Sequence, residues 1–252
     1  MIDQVLLFIA SYIANMMSAF AGGGAGLVQL PVLLLLGLPF PVALGTHKIA
    51  NVALGLGAAS RFIREENLLE LKFSLFILCT GMLGAIAGAY LIIHIPDDLA
   101  RLILGVLIIA LGIYALFKKQ MGLGYSPKNR DQKGILIGGA CIFLMGIFNG
   151  SFTAGAGLFV TMFLILWFGM DYKRAVAYTM TLVGIFWNAT GAFTLYALGE
   201  PIHWPWIPVL LLGSFLGGYT GAHFNTLKGN KWVKIAFTAI TLISGAMLLL
   251  KS

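Results

Sequence analysis

The chain has 252 residues, of which 60% are hydrophobic and 10% are charged, and its mean hydropathy is +0.95. An average soluble domain has roughly 25% charged residues, so this composition excludes an ordinary water-soluble fold. The net charge of +7 does not indicate nucleic-acid binding, because the basic residues lie in short loops between apolar runs and form no nucleic-acid motif. The sequence therefore predicts an all-α polytopic membrane protein that lies in the lipid bilayer.

Eight apolar runs follow one another along the chain, and two of them are too long for one crossing. A straight crossing needs about 20 residues, but the first and fifth runs, at 5–36 and 134–168, are longer than 30 residues. Each contains a glycine cluster, at 22–26 and 149–157, where we expect the chain to bend. The other six runs have ordinary spanning lengths and lie at 40–60, 73–95, 99–117, 175–198, 206–226 and 232–250.

The two halves of the chain resemble each other. Residues 24–27 match residues 155–158 at an offset of 131, and Gly84 and Gly88 match Gly217 and Gly221 at an offset of 133. Two single-residue insertions account for the drift, so we interpret the match as an internal duplication. The predicted domains are an N-terminal transmembrane repeat (1–118), a flexible, solvated cytoplasmic linker (119–133) and a C-terminal transmembrane repeat (134–252).

The basic residues indicate how often each long run crosses the membrane. Cytoplasmic loops are enriched in Lys and Arg. If both long runs turn back on themselves, 13 of the 16 basic residues share one side, which we assign to the cytoplasm. These residues are Arg61, Arg64, Lys72, Lys118, Lys119, Lys128, Arg130, Lys133, Lys173, Arg174, Lys228, Lys231 and Lys234. The exceptions are Lys48, Arg101 and Lys251.

This topology predicts two inverted structural repeats. Each repeat is a glycine-broken helical hairpin, re-entrant or strongly tilted, followed by three transmembrane helices. Because each half crosses an odd number of times, the second half is inverted and both termini lie outside the cytoplasm. Inverted repeats whose broken helices meet near the midplane are typical of transporters. We therefore expect a multi-pass protein of the cell membrane, in a prokaryote the cytoplasmic membrane.

The glycine clusters are the first candidates for a binding site. A helix that begins near Ala25 or Ala156 would direct the positive end of its dipole at an anion. The alternative is close helix packing of the GxxxG kind. The position of both clusters in mid-run favours the functional interpretation, and the candidate substrate-binding residues are Gly24, Ala25, Gly26, Gly155, Ala156 and Gly157.

The segment GTHKIAN at 45–51 supplies the next candidates, Thr46, His47, Lys48 and Asn51. Lys48 is about eight residues into an apolar helix, or some 12 Å deep at a rise of 1.5 Å per residue. A charge at that depth is costly, and this suggests a function, although snorkelling to the interface is the alternative. His47 is equally consistent with a hydrogen-bonded packing histidine and with a ligand of the substrate or a proton.

The second half offers uncharged donors in place of a lysine. The candidates are Asn149, Ser151, Thr153, Thr179 and Asn188. Their hydroxyl and amide groups could bind the oxygens of an oxyanion. Taken one at a time, such residues more often form hydrogen bonds between helices.

The residues that are missing from the apolar runs also favour an anion. All nine acidic residues are terminal, in loops or at run boundaries, so there is no buried carboxylate for a cation site or a proton relay. The sequence has no HExxH, GxSxG or P-loop motif. We therefore predict a non-enzymatic protein without a cofactor, a metal site or catalytic residues, whose partner is a small anionic substrate.

Two segments resemble a known family. The sequence LPVLLLLGLPFPVALGTHKIANVALG at 30–55, which follows a glycine-rich run, is similar to the TauE/SafE family of sulfite exporters, and GAGLFVTMFLILWFGMDYKRAVAYTM at 155–180 is similar to that family's repeat. The resemblance covers nearly the whole chain. Lys48 fits the family pattern, whereas His47 stands where the family usually has Asn or Ser.

The resemblance implies a carrier, an exporter in particular, for small sulfur-containing anions such as sulfite, sulfoacetate or other organosulfonates. Combined with the residues, it predicts transport by alternating access around an anion held between the two hairpins. An anion channel is the alternative within transport. An intramembrane enzyme or a scaffold is the alternative outside it, against which the missing catalytic motifs weigh.

Overall fold

The computed structural model describes residues 2–65, 68–92, 106, 109–110, 113, 117 and 122–250, and these residues are helical with no strand. Most of the predicted run at 99–117, together with Arg101, Lys118 and Lys251, falls outside them. The longer helices are α1 (Ile2–Ala21), α2 (Gly26–Leu35), α3 (Phe40–Phe62), α4 (Leu71–Ile92), α5 (Gln132–Ser151), α6 (Ala156–Phe168), α7 (Tyr172–Tyr178), a π-helical segment (Thr179–Trp187), α8 (Asn188–Ala197) and α9 (Ile207–Leu250).

The first long run breaks at its glycine cluster, as the sequence predicted. Gly22, Gly23 and Gly24 have φ angles of 97°, 149° and 99°, a region that glycine enters without steric cost. The chain then turns back on itself, which is shown by a 2.7 Å hydrogen bond that Gln29 of α2 donates to Ser11 of α1. α1 and α2 therefore form a hairpin, the first hairpin.

The second long run does the same between α5 and α6. The left-handed residues at this break are Thr153, with φ of 58°, and Gly155, with φ of 81°. The indole N–H of Trp167, near the end of α6, donates a 3.1 Å hydrogen bond to the carbonyl of Gly134, near the start of α5. This second hairpin therefore returns to the end at which it began.

The returning helices are too short to cross a bilayer. α2 has 10 residues and α6 has 13, which correspond to about 15 and 20 Å at 1.5 Å per residue, against a hydrocarbon core of about 30 Å. The tips of the two hairpins meet. A Cβ atom at Gly157 would lie 3.0 Å from the Cα of Gly23, and one at Gly26 would lie 3.0 Å from the Cα of Ala154.

Each hairpin packs against a long helix of the other half through pairs of glycines. α1 packs along α9, and α4 packs along α5. The glycines let the backbones approach closely, as in membrane helix pairs. A Cβ atom added at these glycines would collide with a backbone carbonyl oxygen, that of Phe143 at Gly84, Ile147 at Gly88, Tyr12 at Gly217 and Met16 at Gly221.

Two elements cross the centre of the molecule beside the hairpin tips. One is α3, which buries its polar segment Thr46–Lys48 completely. The other is the continuous helix formed by α7, the π-helical segment and α8. The two approach closely at a pair of glycines, where a Cβ atom at Gly184 would lie 3.0 Å from the Cα of Gly55.

The charged loops gather at one end of the molecule, which we call the charged end. It comprises the loop after α3, residues 122–131, the start of α7 and the kink of α9 at Gly229. Its contacts include Arg130–Glu70 at 2.6 Å, Lys173–Glu65 at 2.7 Å and the bond from Lys173 N to Asn230 Oδ1 at 2.8 Å. These loops were predicted to share one side.

The linker between the halves combines exposed residues with hydrogen bonds to the end of α6. Residues 124–128 are exposed, as expected of a solvated loop. However, the backbone N–H of Ser126 donates a 2.8 Å hydrogen bond to the carbonyl of Gly169, and the side-chain amide of Asn129 donates one of 2.7 Å to the carbonyl of Trp167. The segment therefore supplies donors to the carbonyl groups at the end of α6, and its flexibility stays a prediction.

Four helices among the described residues are long and apolar enough to cross a membrane: Gln4–Ala21, Leu71–Ile92, Gln132–Ser151 and Trp204–Ala239. Large apolar side chains project from three of them, with Val5 59%, Leu83 62% and Leu136 76% exposed. Water would solvate such faces poorly, whereas lipid chains accommodate them. The structure therefore agrees with a multi-pass helical membrane protein.

Candidate functional site

A small cavity lies where the two hairpin tips meet α3 and the π-helical segment. Its volume is about 30 Å³. On this scale one water molecule needs about 10–15 Å³, so the cavity in this conformation admits a ligand of only a few atoms. The lining residues are Ser18, Gly23, Gly24, Ala25, Gly26, Asn51, Leu54, Asn149, Thr153, Gly157, Thr179, Met180, Val183, Gly184 and Asn188.

Two helices begin at this cavity, as the glycine clusters predicted. α2 starts at Gly26 after Ala25, and α6 starts at Ala156 after Gly155. The amides of Leu27 and Leu158 bond to the carbonyls of Gly24 and Gly155 just before each helix, and the helix dipole places positive potential at the same end. The cavity thus lies at two positive helix ends, a favourable position for an anion.

Lys48 is fully buried, at the ninth residue of α3, but it does not line the cavity. Its Nζ donates a 2.7 Å hydrogen bond to the carbonyl of Asn149 and a short one to the hydroxyl of Thr153. Asn149 is in the last turn of α5, where carbonyl groups lack helical partners and attract cations. None of the ion pairs in the described part of the chain involves Lys48, and its amino group lies behind the lining residues Asn149 and Thr153.

Three further candidates from the sequence also lie outside the lining. The hydroxyl of Thr46 accepts a 3.0 Å hydrogen bond from the backbone N–H of His203. Ser151 donates to the carbonyl of Gly88 at 2.9 Å, which is a contact between helices. His47 is bonded to Gln29 and Asn51 behind the wall. Of the helix-start residues, Gly155 and Ala156 stand just behind Gly157, which lines the cavity.

Nine of the predicted residues line the cavity: Gly24, Ala25, Gly26, Asn51, Asn149, Thr153, Gly157, Thr179 and Asn188. The carboxamide oxygens of Asn51, Asn149 and Asn188 are buried without a hydrogen-bond partner within the described residues. Buried polar atoms are rarely left unpaired. These three side chains therefore have capacity for a ligand or for water.

The π-helical segment forms one wall and was not predicted from the sequence. π-Helical turns are rare and concentrate at functional sites. The segment brings Thr179 and Met180 to the cavity at one level and Val183 and Gly184 at the next. Asn188 follows it and donates a 2.9 Å hydrogen bond back to the carbonyl of Val183. No periodicity in the sequence distinguishes this segment from an α-helix.

Several buried polar residues outside the predicted set also surround the site. Ser18 lines the cavity beside Gly23. Thr161 donates a 2.7 Å hydrogen bond to the carbonyl of Gly22, and its hydroxyl lies 2.9 Å from that of Thr179. The signal that could have found Thr161 and Gln29 is a polar residue inside an otherwise apolar half-helix.

The family described as sulfite exporter TauE/SafE matches residues 7–248 of the chain. A Haemophilus influenzae protein named "Probable membrane transporter protein" is 31% identical over 231 residues, which cover 91% of this chain and 88% of that protein. The Escherichia coli K12 "Probable membrane transporter protein YfcA" is 29% identical over 253 residues, which cover 98% of this chain and 90% of the relative. No solved structure matches the chain.

Proposed function

Because the chain belongs to the TauE/SafE family of sulfite exporters, and is thus a membrane transporter, we propose that it carries a small sulfur-containing anion by alternating access. Sulfite, sulfoacetate and other organosulfonates are the candidate substrates, and export is the proposed direction. The observation that carries the proposal is the cavity at which α2 and α6 both begin. Positive helix ends meeting inside a membrane protein are suited to anionic substrates.

The charges around the cavity support an anion. Its lining contains no carboxylate. The charged group beside it is Lys48, whose Nζ bonds to two lining residues, Asn149 and Thr153. A buried ammonium without a carboxylate partner costs several kcal/mol of desolvation, and a bound anion would offset part of that cost.

The size of the cavity favours the smaller candidates. About 30 Å³ suits a compact oxyanion better than a longer organosulfonate such as sulfoacetate. Nine of the predicted site residues line it. We propose that the N–H groups at the two helix starts bind the oxygens of the anion, together with the amide N–H groups of the lining asparagines once these carboxamides rotate, because their unpaired oxygens only accept hydrogen bonds. The role of Lys48 is then to set the positive potential from behind Thr153 rather than to contact the anion directly.

We infer that the two halves are inverted repeats, 1–118 and 134–252. Matched contacts support this. At an offset of 131, the contact of Gly23 with Gly157 corresponds to that of Ala154 with Gly26. At an offset of 132, the bond between Gln29 and His47 corresponds to that between Thr161 and Thr179. In addition, α5 starts at the charged end, whereas Leu7 of α1 clusters with Trp206 at the opposite end.

The inverted arrangement gives a testable topology. With the charged end in the cytoplasm, both termini lie outside it. A reporter fused after Lys251 is expected outside the cytoplasm, and one inserted near Lys128 is expected inside. Finding both reporters on the same side of the membrane would overturn the inverted repeat.

Binding to the purified protein tests the substrate class. Because a ligand that binds only the native state raises its stability, we expect a thermal-shift screen to give the largest increase with sulfite among sulfite, sulfate, thiosulfate, sulfoacetate and taurine. Uptake by liposomes that contain the protein then distinguishes a carrier from a channel, since a channel would give single-channel currents far above carrier turnover. Failure to bind or move any of these anions would contradict the proposal.

A further inference from the structure

A network of buried hydrogen bonds extends from the cavity wall to the contact between α1 and α9. Asn51, which lines the cavity, is bonded to His47 at 2.9 Å, and His47 is bonded to Gln29 at 2.6 Å. Gln29 donates to Ser11 at 2.7 Å, and Ser11 lies 2.9 Å from Ser214 of α9. All five side chains are buried, with exposures of 4% or less.

The donors and acceptors of this hydrogen-bond network determine the tautomer of His47. Gln29 uses its amide N–H on Ser11, so its oxygen faces Nδ1 of His47 and must accept a hydrogen bond from Nδ1–H. Nδ1 therefore carries the hydrogen, and Nε2 is left as an acceptor. Asn51 donates its amide N–H to Nε2. This leaves the carboxamide oxygen of Asn51 at the cavity without a partner among the residues that the structure describes.

A second proton on the imidazole would reverse this arrangement. With both ring nitrogens protonated, Nε2 becomes a donor and no longer accepts from Asn51. Rotation of the Asn51 carboxamide by half a turn places its oxygen on Nε2–H and its amide N–H groups towards the cavity. An unpaired acceptor is then replaced by a donor, which is the group that binds an oxyanion.

We propose that His47 is the proton-binding site of a proton-coupled anion carrier, and that Asn51 transmits its protonation to the cavity. The inference rests on the proposed function, since it requires that an anion bind there. The proton binds at Nε2 when the anion enters, and both leave on the other side of the membrane. Binding is reciprocal: an anion that favours the donor form of Asn51 favours the protonated form of His47 by the same free energy.

The electrostatics around His47 explain why proton and anion would bind together. Lys48 is the neighbouring charged group, and Nε2 of His47 lies 2.9 Å from the Cβ position of Gly26, in the first turn of α2. Both disfavour a second positive charge. An anion in the cavity offsets this unfavourable potential.

Within the described parts of the chain, the other elements bring no compensating charge to His47. α2 and the π-helical segment contain no titratable residue. α1 and α9 contribute the uncharged residues Ser11, Asn15 and Ser214 to the hydrogen-bond network. The break after α5 contributes the uncharged Ala154, which lies beside Gly26. The other titratable group nearby is His203, whose backbone N–H is bonded to Thr46.

The test counts protons taken up when sulfite binds to the purified protein. Calorimetric titrations in two buffers of different ionisation enthalpy give this number for the wild type and for His47→Gln. The variant keeps a carboxamide in the hydrogen-bond network but cannot take up a proton. The protonation of sulfite itself is the same in both titrations. We expect the wild type to take up more protons per sulfite, by as much as one, and we expect the sulfite affinity of His47→Gln to depend less on pH.

Two further variants separate the possible outcomes. His203→Gln makes the same substitution outside the hydrogen-bond network. Its proton uptake and sulfite affinity are expected to match those of the wild type. Asn51→Ala, the second variant if His47→Gln does not fold, is expected to weaken sulfite binding and to flatten its dependence on pH. Equal proton uptake by wild type and His47→Gln, or an unchanged pH dependence in Asn51→Ala, would overturn the inference while leaving anion transport intact. If the wild type does not bind sulfite, the proposed substrate is wrong and the coupling falls with it.

Discussion

The two hairpins reach the same shape by different chemistry. The first break uses three consecutive glycines with positive φ, whereas the second places Thr153 in a left-handed conformation that a β-branched residue rarely adopts. Each break is held by a side chain from the other half. Thr161 donates to the carbonyl of Gly22, and Lys48 donates to the hydroxyl of Thr153.

This difference makes the two breaks asymmetric. A glycine break needs little support, because glycine adopts positive φ without strain. A threonine break persists only where its surroundings over-determine it, and Lys48 supplies that support together with a positive charge. The second hairpin should therefore depend on polar contacts, and the first on the absence of side chains.

Lys48→Met should have the largest effect, because it removes the contact that positions the second break. Transport should fall by on the order of 100-fold, as a shift of about 1 Å in a binding site can cause. Lys48→Arg keeps the charge but has a broader head group, so we expect a rate between those of wild type and Lys48→Met.

Initial rates of anion uptake into liposomes at matched protein content measure this effect. Thermal stability is not a substitute, because replacing a buried charge with an apolar side chain can be neutral or stabilising. Lys72→Met, at an exposed lysine of α4, serves as the control and should transport normally. If Lys48→Met transports at the wild-type rate, Lys48 does not support the site.

Thr153→Val tests the same contact from the other side. Valine has nearly the shape of threonine but lacks the hydroxyl that bonds to Lys48. A hydrogen bond to a charged group contributes about 1.5–3 kcal/mol, so the free energy of unfolding should fall by about that amount. Thr153→Ser retains the hydroxyl and is the matched control in the same thermal denaturation experiment. Equal stability of the two variants would contradict the role of this bond.

The first hairpin should respond to added bulk instead. Gly23 has φ of 149°, and a Cβ atom there would lie 2.6 Å from the carbonyl carbon of Gly157. We expect Gly23→Ala to destabilise the protein by about 1–3 kcal/mol. Ala154 stands at the equivalent position of the second break, and Ala154→Gly should cost no more than about 1 kcal/mol. Similar losses for both variants, measured by thermal denaturation, would remove the proposed difference between the breaks.

The breaks themselves could be predicted because their signal is local. Glycine clusters inside runs too long for one crossing located the ends of α1 and α5 and the starts of α2 and α6. The position of Lys48 inside a helix was also predictable, since the sequence places it about eight residues into an apolar run and it is the ninth residue of α3. These predictions needed only periodicity, run length and the conformational freedom of glycine.

The contacts of the site could not be predicted in the same way. That Lys48 turns towards Asn149 and Thr153 depends on how α3 packs against the second hairpin, about 100 residues away in sequence. The hydrogen bonds that connect Gln29, His47 and Asn51 likewise join separate elements. The π-helical turns at 179–187 differ from an α-helix only in hydrogen-bond spacing, and no residue type marks that difference.

The smallest expected effect concerns the entrance of the second hairpin, where Arg130 precedes α5 and pairs with Glu70 at 2.6 Å. The hydrogen bond from Arg130 holds the pKa of the Glu70 carboxyl below its usual value. A carboxyl with a lowered pKa contributes stability above its unfolded pKa of about 4.3, and that contribution is lost as the pH falls through the folded pKa. The contribution should be small, about 0–1 kcal/mol, because the Glu70 side chain is 45% exposed.

We therefore expect Glu70→Gln to melt slightly below wild type at neutral pH and at the same temperature at about pH 3. Glu200→Gln, at a residue in none of the salt bridges among the described residues, controls for the loss of a carboxyl. If the difference between wild type and Glu70→Gln persists unchanged at about pH 3, the Arg130–Glu70 pair does not hold the entrance of the second hairpin.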